Sequence, residues 1–430
     1  MAATIDPNQQ QRWPGYVKAM LLTNLVMFLM VLAIYLLQAV LPLSPDGQAA
    51  VPAWLAVNTA MSFITNTNWQ NYGGENTLSY FSQMFAIIFP QFTSAATGLA
   101  CGIAFIRGLG GSTNLGNFYL DMTRAITRIM LPIAFVCGVV FVGLGVPATF
   151  DGALQVNTLN GAADQSSAPT PEAAPSASSQ GQQTITRGPV AALVSIKHLG
   201  TNGGGWFNAN STHPFENPGP ISNILENILM ALLPMGLIYT FGMMVNRRKQ
   251  AATFFWVMSG FFLVFLVIAY AGEVQGNPLL ASIGLDPSQG NLEGHELRFG
   301  QGLTALFVTS TTAFTTGFSE VMYMYTSMAA NNGSAFAGFA GNTNWFNASG
   351  SLVLALGRYV SIILMLALAG SMAAKKEVPM TVGTMRTDGR LFGGVLAGTV
   401  LIIGALTFFP ILALGPIAEH YAMWAGQTFS

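Results

Sequence analysis

The chain alternates long apolar stretches with short polar connections, and stretch length sorts them into two kinds. Seven are long enough to cross a bilayer as helices, which takes about 20 apolar residues; they cover residues 19–43, 80–106, 125–146, 221–245, 253–271, 352–372 and 392–414. Mostly polar residues precede the first, and no small-residue cleavage site follows it, so it is read as a spanning helix rather than a removed leader. Four stretches are shorter, and each runs into small polar residues: "WLAVNTAMSFITNTNWQ" (54–70), "GPVAALVSIKHLGTNGGGWF" (188–207), "GLTALFVTSTTAFTTG" (302–317) and "EVMYMYTSMAANNGSAF" (320–336). With about ten helix-competent apolar residues apiece they are too short to span, and this is the pattern of a re-entrant pore helix with its loop, repeated.

Composition agrees with the pattern. Of 430 residues, 52% are hydrophobic and 8% charged, against about 25% charged in ordinary soluble domains, which predicts an all-α integral membrane protein in a lipid bilayer. The net charge of −1 gives no footing for nucleic acid. Basic residues occupy every second connection: Arg12 and Lys18; Arg107, Arg124 and Arg128; Arg247, Arg248 and Lys249; Lys375, Lys376, Arg386 and Arg390. Positive connections stay cytoplasmic, so the N-terminus is expected inside and the C-terminus outside. The segment 161–183, rich in Ala, Ser, Pro and Gln, is expected to be a disordered outer loop. Cys101 and Cys137 lie in apolar runs and read as small core residues. His198, His213, His295 and His420 have no metal-ligand spacing and read as interfacial or structural. Two triplets, Asn210-Ser211-Thr212 and Asn347-Ala348-Ser349, fit the glycan-acceptor pattern, which is a weak signal alone.

The loops carry the chemistry. Irregular backbone at membrane depth is tolerated where it lines a cavity or is buried in protein, and a short helix entering from outside turns its negative C-terminal end toward that cavity. Backbone carbonyls beyond it can replace an ion's water shell, while Thr and Asn add neutral oxygens. The loop tips hold no carboxylate, which favours a monovalent over a divalent ion. The Gly-rich "GTNGGG" is not a phosphate cradle, because no Lys-Ser or Lys-Thr follows it.

At these loops "NTAMSFITNTNWQNYGGENTLSYFSQM", "LGTNGGGWFNANSTHPFENP", "EVQGNP" and "AANNGSAFAG" resemble the potassium-binding, channel-like subunit of the bacterial Kdp potassium-transporting ATPase, from "IDPNQQQRW" to "LTFFPILALGPIAEH". The resemblance implies four membrane-pore-membrane repeats like those of potassium channels, with an extra helix at each end. It implies potassium as the bound ion, and as partners a P-type ATPase subunit with small accessory membrane subunits in the bacterial inner membrane. The matching filter residues are Asn66, Thr67 and Asn68; Thr201, Asn202 and Gly203; Thr315, Thr316 and Gly317; and Asn331, Asn332 and Gly333, with Gln70 at a position linked to selectivity. The subunit itself is not expected to hydrolyse ATP, and neither a P-loop nor an Asp-Lys-Thr-Gly motif occurs.

Against that pattern the family's first membrane helix is absent, and Gly317 and Gly333 are too close for the two spans that should part them, about 40 residues plus loops. One membrane domain, 1–430, then divides into a first repeat (17–107), a second (122–249), a partial third (252–317), a partial fourth (318–375) and a C-terminal helix and tail (391–430). Loops one and two should form native-like quarters around a half-ring, with residues 311–332 strained, displaced or open to lipid. Alternative readings are a stand-alone passive potassium channel or gradient-driven transporter, and an inactive truncated remnant. Few ionisable residues interrupt the spans, which weighs against a gradient-coupled relay. Arg358 is the main exception, able to pair with a partner's backbone or with a carboxylate.

Overall fold

A computed structural model describes residues 9–157, 182–208, 210–211, 213–275, 300–312, 320–333, 341–375, 381 and 383–404. Six of its helices are long and apolar enough to cross a membrane. In chain order, α1 is Trp13–Leu37, α3 is Tyr80–Leu109, α4 is Phe118–Gly143, α6 is Pro220–Met244, α7 is Arg248–Gln275 and α10 is Asn344–Ala373. Between them lie four helices of 10 to 13 residues: α2, Ala53–Ile64; α5, Val190–Leu199; α8, Gly300–Thr312; and α9, Glu320–Ala329. A further helix, α11 (Arg390–Gly404), covers the start of the seventh expected span, whose remainder lies outside the described residues.

Several spans start earlier than their apolar runs, α4 and α10 by the most. Asn117 caps α4 by accepting from the Leu120 amide at 3.2 Å, and Thr343 caps α10 through the Phe346 amide, so polar first turns belong to the helices. Both α3 and α4 widen by a turn ahead of a proline, over Gln83–Ile88 before Pro90 and Ala125–Met130 before Pro132. Pro90 has no N–H for the carbonyl of Ala86; the Tyr35 hydroxyl on α1 donates to it instead, at 2.7 Å.

Each of these short helices packs against at least one span. α2 packs against α1 and α10, α5 against α4 and α6, α8 against α6 and α7, and α9 against α10. Small residues permit close approach: a side chain at Gly108 would strike Ala369, and one at Gly370 would strike Trp13. The other faces of the spans are apolar and exposed, as at Leu263, Val264, Phe265, Val267 and Ile268 on α7. Residues 161–181 of the expected outer loop lie outside the described residues, but its last two, Gln182 and Gln183, are not loop: strand β2 (Gln182–Ile185) pairs antiparallel with β1 (Leu154–Asn157). Only residues 313–319 separate α8 from α9. Seven residues make about 10 Å of helix, far short of a crossing.

Candidate functional site

Three of the short helices end in the same backbone reversal. After α2, Thr67 N donates to Ser62 O at 2.9 Å and Asn66 N to Phe63 O; after α5, Asn202 N donates to Lys197 O at 2.8 Å and Thr201 N to His198 O; after α9, Asn332 N donates to Ser327 O at 2.9 Å and Asn331 N to Met328 O. The residue two past each helix end is left-handed: Asn66 at φ 65°, Thr201 at 55° and Asn331 at 58°. This is the six-to-one, five-to-two helix stop that glycine or asparagine usually completes. Two positions use asparagine, while the β-branched Thr201 is strained there.

The reversals throw three loops together. A side chain at Gly203 would collide with the Asn332 carbonyl and stand 2.8 Å from that of Gly333. One at Gly204 would collide with the Asn68 carbonyl and stand 2.6 Å from Gln70 Oε1, and one at Gly333 would collide with the Thr67 carbonyl. Hydrogen bonds tie the loops across the same place. Asn66 Nδ2 donates to Gly200 O at 3.1 Å, Asn331 Nδ2 to Thr67 Oγ1 at 2.9 Å, and Gly205 N to Gln70 Oε1 at 2.8 Å. Loop one therefore joins the other two.

Polar side chains brace the loops from behind. Arg358 on α10 donates to the Ser94 carbonyl at 3.1 Å, and Ser94 Oγ donates to Asn66 Oδ1 at 2.9 Å, so the arginine pairs with backbone. The Lys197 ammonium lies 3.3 Å from Glu216 Oε2, His198 Nε2 lies 3.1 Å from Glu226 Oε2, and all four side chains are buried. Asn71 Nδ2 donates to Asn347 Oδ1 at 2.8 Å, joining loop one to the start of α10. Beyond loop one, burial holds the Glu75 carboxyl above the ordinary carboxylate range, with Glu216 adding to the shift against a backbone hydrogen bond that lowers it.

Residues 1–317 and 315–421 match the family described as potassium-transporting ATPase A subunit. The chain belongs to that family. Among its relatives are three proteins named potassium-transporting ATPase potassium-binding subunit. The one from Alicyclobacillus acidocaldarius is 41% identical over 525 aligned positions, covering 97% of this chain and 90% of the relative. The one from Methylobacterium nodulans is 40% identical, covering 100% and 90%, and the one from Mesorhizobium japonicum is 39% identical, covering 98% and 90%. The 525 aligned positions exceed the 430 residues present, so relatives in the A subunit family carry positions that this member lacks. Its two matched parts meet at residues 315–317.

Of the filter residues carried over from the A subunit family, Asn66, Thr67, Asn68 and Gln70 are buried in loop one. Asn202 and Gly203 are buried in loop two with Thr201 half-buried, and Asn331 and Asn332 are half-buried beside buried Gly333 in loop four. Thr315, Thr316 and Gly317 lie outside the described residues. The expected displacement of residues 311–332 does not extend to loop four, because α9 is anchored through buried Met324 and Met328 near Leu354 and Trp69. Ala329 and Ala330 are nonetheless exposed on its flank. The sequence reading missed Lys197, Glu216 and Ser94. A lysine and a histidine side by side in the otherwise apolar and small α5 were the available signal.

Proposed function

We propose that the chain is the potassium-binding, channel-like subunit of an ATP-driven potassium uptake complex, and that it selects the ion at a ring of backbone oxygens. The ring consists of Asn66, Thr67 and Asn68; Thr201, Asn202 and Gly203; Thr315, Thr316 and Gly317; and Asn331, Asn332 and Gly333, with Gln70 beside the first set. The observation that carries this reading is the convergence of three loops that leave their helices by the same reversal, with Gly203, Gly204 and Gly333 of two of them having a neighbouring loop's carbonyl where a side chain would stand. Neutral oxygens suit a monovalent ion that must also leave. The side-chain amides of Asn68 and Asn202 are buried with no hydrogen-bond partner among the described residues, and such groups call for an occupant. The names of the relatives suggest the ion and the pump.

On this reading the chain hydrolyses nothing; a P-type partner supplies the energy, with small accessory membrane subunits. On the same reading it lies in the bacterial plasma membrane with its N-terminus cytoplasmic and its C-terminus outside, an orientation that the basic connections support. The repeats are 17–107, 122–249, the partial 252–317 and 318–375, and the C-terminal 391–430.

The test is growth of a potassium-uptake-deficient bacterium on scarce potassium, with partner subunits supplied. Rescue by this chain and its loss in Gly203→Asp, whose membrane insertion is unchanged, is the expected result. Rescue without the partners would favour the stand-alone channel. Rescue by a full-length relative but not by this chain would leave the shared ancestry and remove the transport function.

A further inference from the structure

Lys197 brackets loop two at both ends. Its carbonyl accepts from Asn202 N at 2.8 Å, where the loop leaves α5. Its ammonium pairs with Glu216, and Glu216 Oε1 accepts from Trp206 N, where the loop ends. The pair presses on the backbone between: a side chain at Gly205 would stand 2.6 Å from Glu216 Oε1 and 2.9 Å from Lys197 Nζ. From the opposite side, Gly205 N is held by Gln70 of loop one. Two successive amides are thus fixed by two side chains from different directions.

The counterparts of Lys197 in the other reversals, Ser62 and Ser327, offer the same carbonyl without the charge. Both side chains of the pair are fully buried, and a buried ion pair adds little stability over apolar packing while fixing geometry strongly.

We propose that Glu216 is a positioning residue for ion selectivity: by holding the Trp206 amide under the aim of Lys197, it sets the spacing of the carbonyls of residues 201–204 and so the discrimination of potassium from sodium. This rests on the reading of loop two as part of a potassium filter.

The experiment uses the purified full-length chain in lipid nanodiscs, with potassium and sodium chloride as probes and the ion-dependent rise in melting temperature as readout. Lys197→Met/Glu216→Gln keeps an acceptor for Trp206, and Lys197→Met/Glu216→Leu removes it, while neither leaves a lone buried charge. The glutamine form should retain the wild-type potassium preference within about threefold, and the leucine form should lose about tenfold or more, the scale of one critical hydrogen bond. Equal preference in the two forms overturns the proposal. Should the leucine form fail to fold, Glu216→Asp decides, since it withdraws the carboxylate by one methylene and keeps both charges: reduced preference supports the proposal and unchanged preference overturns it. Gly203→Asp is the control for the underlying reading. A wild-type chain that potassium does not stabilise, or a Gly203→Asp chain that it still stabilises fully, removes the filter and this proposal with it. Intact filter behaviour with an indifferent Glu216 removes the proposal alone.

Discussion

Asn331 donates from Nδ2 to Oγ1 of Thr67 at 2.9 Å, across 264 residues of sequence. The bond joins the last described loop to the first, and it exists although the chain between α8 and α9 is too short for a span. Thr67→Val keeps the shape and removes the acceptor. We expect potassium stabilisation of the purified chain to fall by about tenfold in apparent affinity, equivalent to one hydrogen bond of about 1–1.5 kcal/mol. An unchanged titration would mean that loop four does not share ion binding with loop one.

Thr201 holds a left-handed backbone that asparagine adopts at the two matching positions. Thr201→Asn should raise stability by about 1 kcal/mol by relieving a β-branched residue at positive φ. Differential scanning calorimetry in detergent checks this, and a lower melting temperature would show that the Thr201 hydroxyl, which donates to the Gly200 carbonyl at 2.7 Å, outweighs the strain.

Tyr35→Phe leaves the Ala86 carbonyl without the hydroxyl that replaces Pro90's missing N–H. The expected loss is about 1–3 kcal/mol, the cost of an unsatisfied buried acceptor. The combination Tyr35→Phe/Pro90→Ala restores a backbone donor and should recover much of it. If the double variant melts no higher than the single one, the carbonyl is not the reason for the tyrosine.

Glu75 should govern part of the pH dependence. An acid held above its ordinary value binds its proton more tightly folded than unfolded, so its contribution is fully present below the unfolded value of 4.5 and is lost as pH rises through the folded one. Melting curves of wild type and Glu75→Gln should therefore diverge as pH increases, with the glutamine form gaining. Parallel curves would show that the carboxyl is not strained by its burial.

The sequence made the element types legible because each short helix packs about ten apolar residues ahead of a Thr/Asn/Gly run, a period and a stop that local chemistry dictates. It blurred the starts of α4 and α10, where Asn117 and Thr343 caps extend a helix back through polar turns. One polar side chain of those turns in α10 serves a distant partner: Asn347 Oδ1 accepts from Asn71 Nδ2 on the first pore segment at 2.8 Å, while its backbone carbonyl accepts from Asn58 Nδ2 at 3.0 Å. The loops themselves were legible as loops. Their mutual contacts were not, since Asn66 meets Gly200 across 134 residues and nothing in either stretch names the other. Lys197 and Glu216 stood in plain view, and their meaning depends on a return path that only folding supplies.

The three backbone reversals have a further consequence for how this molecule tolerates change. Each is closed by hydrogen bonds spanning no more than six residues, from Ser62 to Thr67, Lys197 to Asn202 and Ser327 to Asn332. The turn that ends each helix is therefore written within its own last residues, while span side chains brace the loop beyond it, as Arg358 and Ser94 do for loop one. Loss of a span then leaves the turn itself formed and removes the partners that align the loop beyond it, so a quarter loses its aim before it loses its shape.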